Sequence, residues 1–127
     1  MRASRGEIKI EEILQQAELD FKEEYVFPDL KSSSGRPLRF DFVIFDDDGN
    51  IDFLIEFQGK QHYESIDWFG GNEKFEYQQE HDKRKREYAY KNNYNFLEIP
   101  YWDFDNIEDI LKNIIYQESS NDGSFIM

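Results

Sequence analysis

Two alternating runs on either side of DDDGN limit what this chain can fold into. LRFDFVIF (38–45) places Leu38, Phe40, Phe42 and Ile44 on one side of a strand, and Arg39, Asp41, Val43 and Phe45 on the other. IDFLIEFQ (51–58) repeats the pattern, with Ile51, Phe53, Ile55 and Phe57 against Asp52, Leu54, Glu56 and Gln58. A turn signal between two such runs predicts an antiparallel hairpin closed by residues 47–50. That loop length pairs Asp46 with Ile51, Phe45 with Asp52 and, further along, Asp41 with Glu56. Two carboxylates then stand side by side on one sheet face, which is destabilising unless something neutralises them. A hard divalent cation does so, accepting carboxylate and carbonyl oxygens. The bland reading is a solvated face carrying ordinary surface acids. The adjoining QGKQH (58–62) favours a site, because it crowds amide donors and an imidazole beside the pair.

The rest of the chain supplies a frame for this hairpin. Ser4 and Glu7 have capping-box spacing ahead of Ile10, Ile13, Leu14 and Ala17, which predicts a helix at about 5–18. EEYVF (23–27) reads as a short strand closed by Pro28, and KSSSGRP (31–37) as a loop. FGG (69–71) turns the chain into a long charged helix, about 73–92, that stops near KNN. NFLEIPY (95–101) is a short buried strand ended by Pro100, and 106–117 is an amphipathic helix. The order α-β-β-β-α-β-α predicts an α/β fold with a mixed central sheet flanked by helices. The 127 residues suit one domain, 1–118, with 119–127 as a flexible tail.

Composition excludes several classes. The absence of cysteine removes disulfides, thiolate zinc sites and thiol nucleophiles. No stretch approaches a membrane span, and the N-terminus turns charged too soon for a secretory signal, so a soluble cytoplasmic protein is expected. There is no glycine-rich phosphate loop and no nucleophile elbow, and His62 and His81 are too far apart for a zinc-type pair. The net charge of −13 argues against tight non-specific binding to nucleic acid. Basic residues nevertheless cluster at Lys83–Arg86, at Arg36 and Arg39, and at Arg2 and Arg5.

RFDFVIF followed by Glu56-Phe57-Gln58, with Asp41 and Glu56 15 residues apart, resembles the PD-(D/E)XK nuclease superfamily. GE near the start, LRFDF, IEFQGKQHY, FGG, HDKRKREYAYKNNY and LEIPYW together resemble small phage-associated endonucleases related to very-short-patch repair (Vsr-like) and homing endonucleases. The resemblance covers about residues 4 to 112. It implies a restriction-endonuclease-like core and a metal-dependent DNA endonuclease, a hydrolase of phosphodiester bonds, in a bacterial host cell if phage-encoded. Asp41 and Glu56 would hold Mg²⁺ or Mn²⁺ with the Phe57 carbonyl, and Glu7 matches the family's upstream acid. Glu7 also completes the capping box with Ser4, and the two roles are compatible. His62 would act on the attacking water or the leaving oxygen, and Asp82 matches a second acid of that branch.

One departure from the family is chemical. Gln58 stands where the motif usually has lysine; it would position the water, while Lys60 or Lys85 supplies the charge. Helical spacing places Phe75, Gln78, Asp82, Lys85 and Ala89 on one stripe, either facing the sheet or forming part of a solvated charged helix. Arg39, Lys83, Arg84 and Arg86 would meet neighbouring phosphates. DNA binding would be weak and salt-sensitive, helped by a protein partner or a homodimer. The alternative is a weak or inactive acidic phage protein of the same fold, acting through protein binding or DNA mimicry.

Overall fold

A computed structural model describes residues 4–65 and 71–124. Arg2, the Phe69–Gly70 part of the expected turn and residues 125–127 lie outside the described residues. Ser4 opens α1 (Arg5–Gln16), its Oγ accepting the Glu7 N–H at 3.2 Å and donating to the Glu7 carboxylate at 3.2 Å. Glu18, at φ +57°, ends the helix in a Schellman turn, with the Leu19 N–H on the Leu14 carbonyl at 3.2 Å. Next come β1 (Asp20–Lys31), β2 (Pro37–Phe45), β3 (Ile51–Gln58), α2 (Gly71–Lys91), β4 (Asn95–Pro100) and α3 (Ile107–Ser124). A single 3-10 turn covers 60–62, and two joined across a kink at Asp103 cover 101–106. The chain is thus an α/β protein of order α-β-β-β-α-β-α. Its four-stranded sheet runs β1-β2-β3-β4, antiparallel except for the parallel β3–β4 pair that α2 connects.

The hairpin register follows the loop. Phe42 pairs with Ile55, Val43 with Leu54 and Ile44 with Phe53, and continuing that ladder sets Asp41 opposite Glu56. Near the turn the expected Phe45–Asp52 pair gives way to Phe45–Ile51. Asp46 closes the loop tightly, its N–H on the Asn50 carbonyl at 2.8 Å and its Oδ1 accepting the Asp48 and Asn50 amides at 2.9 Å. Asp52 is left as the extra residue of a bulge. The slip stays at the turn end and leaves the carboxylates in register.

Helices cover both faces of the sheet. Ile10 and Leu14 of α1 and Ile107 and Leu111 of α3 pack on Phe42, Ile44, Ile55 and Ile99. On the α2 side, Leu38, Phe40, Val43 and Leu54 pack with Phe27, Leu30 and Ala89. The single row expected for Leu38, Phe40, Phe42 and Ile44 is therefore split between two cores. The split falls at Asp41, which the register sets opposite Glu24, a non-glycine residue at φ +50°. The break lets Phe40 and Asp41 both serve the α2 side.

Two expected ends move. Pro28 lies within β1 instead of closing it, because β1 is an edge strand and a missing amide there costs little. The last helix runs past 117 to Ser124. Asn93, at φ +60°, stops α2 with the Tyr94 N–H on the Ala89 carbonyl at 2.9 Å, as KNN suggests. Among the described residues no helix is long and apolar enough to cross a membrane.

The entry of α1 is set by Gly6, where an added Cβ would lie 2.4 Å from the Phe57 ring. That ring packs, partly exposed, against the core under α1, so an added Cβ forces the ring or the helix to shift. Gly6→Ala is expected to destabilise the chain by about 1–3 kcal/mol despite alanine's better helix propensity. Denaturant unfolding measures it, with Ile8→Ala on the exposed side of the same helix as the near-neutral control.

Candidate active site at the end of the β2–β3 hairpin

Asp41 and Glu56 are interlocked through each other's strands. Glu56 Oε2 accepts the Asp41 N–H at 3.1 Å, and Asp41 Oδ2 accepts the Phe57 N–H at 2.8 Å. Glu56 is 4% exposed. Burial first, and the Glu56 carboxylate second, push the Asp41 carboxyl up to about 9. Lys85 reaches across from α2 to bond Glu56 Oε1, and its Nζ lies 5.9 Å from the centre of the Phe40 ring. Glu7, brought in by the Gly6–Phe57 contact, is raised by burial, with Glu56 adding to the effect and its hydrogen bonds to Ser4 opposing it.

His62 leaves the 3-10 turn after β3 and meets α2. Its Nδ1 lies 2.9 Å from Asp82 Oδ2, and Gln78 Nε2 donates to the other Asp82 oxygen at 3.1 Å. Asp82 is 5% exposed, and Asp82 and Ala89 are the residues that α2 buries. A helix that buries a carboxylate in place of an apolar side chain must satisfy it by hydrogen bonds, as His62 and Gln78 do here. The sheet-facing stripe is therefore real for Gln78, Asp82, Lys85 and Ala89, and a fully solvated helix is not what forms.

Gln58 sits apart from this cluster although it is 2% exposed. Its Nε2 donates to Glu98 Oε2 at 2.9 Å, and the Tyr63 hydroxyl donates to its Oε1. Arg86 Nη2 holds the same Glu98 oxygen at 2.9 Å. Both ends of the amide are thus engaged on the β4 side. Lys60 also turns away, exposed and 3.9 Å from Glu64. Of the two lysines weighed as the source of charge, Lys85 is the one that reaches the carboxylates.

The KRKR run does not form one patch. Lys83 lies 4.0 Å from Glu87, Arg84 bonds Glu80 at 2.9 Å and the Lys31 carbonyl at 3.3 Å, and Arg86 is held by Glu98. Consecutive residues on a helix point in different directions, which scatters the run. A cleft of about 640 Å³ opens instead beside Asp41 and Lys85, bounded by the β1–β2 loop and the first half of α2. Arg39 lines it, as do Lys74 and Tyr77, which the sequence did not single out, and His81, which it named only as too far from His62 for a zinc-type pair. Their signal was helical spacing: Tyr77 and His81 are four apart, as are Gln78 and Asp82.

The donor set suits magnesium better than a dedicated metal cage. Among the described residues no group of three or more His, Asp and Glu converges on one point. Magnesium is commonly held by one or two carboxylates, with water and phosphate completing its shell. In extended backbone the Phe57 carbonyl leaves β3 on the same edge as its N–H, toward Asp41. Two carboxylates and one carbonyl fit that pattern. No family model, curated protein or solved structure matches this chain.

The raised Asp41 carboxyl has a thermodynamic consequence. Between the ordinary carboxyl value of about 4 and about 9, the folded state holds a proton that the unfolded state has lost. Stability therefore falls as pH rises through this window. Asp41→Asn keeps the acceptor for Phe57 but removes the titration. Its melting temperature is expected to match the wild type near pH ~4 and to exceed it by roughly ten degrees or more near pH ~8. Thermal melts across that range in EDTA check this.

Proposed function

We propose that this protein is a metal-dependent DNA endonuclease of the PD-(D/E)XK type, with a restriction-endonuclease-like core and a Vsr-like or homing-endonuclease-like site. The observation that supports it most is the Asp41–Glu56 pair, Glu56 buried and Asp41 half-buried, interlocked across β2 and β3, with a lysine and a histidine–aspartate dyad on the same side. The sequence resemblance suggests this family, and the pairing gives the reading a physical rationale.

Asp41 and Glu56 would hold Mg²⁺ or Mn²⁺ with the Phe57 carbonyl. When bound, the cation polarises the phosphate and offsets the charge that builds in the transition state. Water adds to phosphorus, the bond to the leaving oxygen breaks, and two protons must be handled. Asp82 fixes His62 through Nδ1, which leaves Nε2 to take the proton from water or give one to the leaving oxygen. Lys85 takes the part usually played by the motif lysine, placing its ammonium beside Glu56 from another element. Gln58 becomes an anchor between β3 and β4 in place of a water-positioning group. Glu7 adds negative charge near the pair and so strengthens its demand for a cation.

A nicking assay on plasmid DNA tests the reading. Cleavage is expected with Mg²⁺ or Mn²⁺ and not in EDTA. Asp41→Ala and Glu56→Ala should abolish it, and Lys85→Ala should lower it by about 10²-fold, the scale of losing one transition-state contact. Gln58→Ala should cost stability more than rate. Equal cleavage by wild type and Asp41→Ala would falsify the proposal.

One observation favours a second reading. Lys85 already neutralises Glu56 without a metal, and the chain carries −13 overall, which suits a non-catalytic acidic protein of the same fold. Calorimetry separates the two. A nuclease is expected to bind one Mn²⁺ in a manner lost in Asp41→Ala, and the non-catalytic protein to bind none at that position.

A further inference from the structure

In a chain this acidic, the cleft beside Asp41 is an electrostatic exception. Four of its 15 Lys and Arg side chains line it, against the carboxylates Glu24 and Asp41. Arg39 is drawn to Glu24 at 3.5 Å and Lys85 to Glu56, but Arg36 and Lys74 have no ion-pair partner among the described residues. Arg36 is presented by a tight loop, with the Ser32 N–H on the Arg36 carbonyl at 2.8 Å and Gly35 at φ +85°. The opposite wall carries rings. Tyr77 and His81 lie in contact, with centroids 4.1 Å apart, and Tyr77 is 38% exposed. The Tyr77 hydroxyl lies 3.4 Å from Ser34 Oγ, which fixes the ring from the β1–β2 loop. His81 Nε2 is buried with no hydrogen-bond partner among the described residues.

Uncommitted cations, an anchored ring pair and an orphaned imidazole nitrogen in one cleft describe a site for an unpaired nucleotide strand. We infer that this cleft receives single-stranded DNA running from the Asp41–Glu56 pair, with Arg36 and Lys74 on its phosphates and a base against Tyr77. In a duplex the base faces are already stacked on one another, so a ring in a cleft can be met only by a base that has left the stack. A cavity of about 640 Å³ also falls within the ~300–1,000 Å³ of small-ligand sites. This rests on the endonuclease reading and narrows it to substrates with an unpaired segment, such as a bubble, flap or branch.

Fluorescence anisotropy in EDTA at low salt tests it without catalysis. A labelled oligothymidine is expected to bind roughly tenfold more tightly than a blunt duplex of equal length. Tyr77→Ala should weaken that binding by about tenfold, and Tyr77→Phe by less than about twofold. Tyr77→Leu, which keeps volume without a stacking face, should behave like the alanine variant. Arg36→Ala and Lys74→Ala should each flatten the dependence of log affinity on log salt by about 0.7. Equal or tighter duplex binding, or full affinity in Tyr77→Ala, overturns the inference. A protein that binds in this way but never cleaves removes the nuclease reading alone, whereas one that cleaves intact duplex without single-strand preference removes this inference alone.

Discussion

The reciprocal bond between Asp41 and Glu56 governs this structure. Each carboxylate accepts a backbone amide belonging to the other residue's side of the hairpin, so neither can move without breaking the end of the β2–β3 ladder. Holding two acids together away from water is unfavourable, since each disfavours ionisation of the other. The fold answers with the Lys85 ammonium on one oxygen and with a carboxyl that retains its proton at neutral pH. The charge of the pair is limited in this way by a proton on Asp41 and an ammonium on Glu56.

The second constraint is the way α2 is attached. Most helices dock through an apolar stripe, but α2 buries Asp82 and Ala89 and sets Lys85 and Gln78 at the same interface. Asp82 and Lys85 bond His62 just after β3 and Glu56 within it, so this part of the helix and the hairpin end are positioned as one unit. Apolar adhesion comes from further along, where Ala89, Phe40 and Leu54 share a core. The cleft opens at the other end of the helix, where such packing gives way to Tyr77, Lys74 and the β1–β2 loop.

Several features could be read before any coordinates. The Asp41–Glu56 pairing followed from a turn length, and it survived the bulge at Asp52 because the slip is confined to the turn end. The Ser4 cap, the KNN stop and the crossover helix follow from local rules. Other features were hidden for identifiable reasons. Period-2 reading assumes an unbroken strand, and the irregularity at Glu24 and Asp41 divides one expected apolar row between two cores. A run such as KRKR looks like a patch in a line of text, but a helix scatters it over its circumference. Gln58 resembled an active-site amide because of its neighbours in sequence, whereas its partners, Glu98 and Tyr63, come from β4 and the turn after β3.

What the chain's sequence determined by itself is therefore local: where strands alternate, where helices start and stop, and which residues a short turn must bring face to face. Those outcomes depend on steric and hydrogen-bonding rules that act over a few residues. Tertiary structure decided which lysine serves the carboxylates, how Asp82 orients His62, and that Arg36, Lys74, Tyr77 and His81 share one cleft. These contacts join residues far apart in the chain, and Coulomb and stacking forces act on distances that only packing of α2 against the sheet can set.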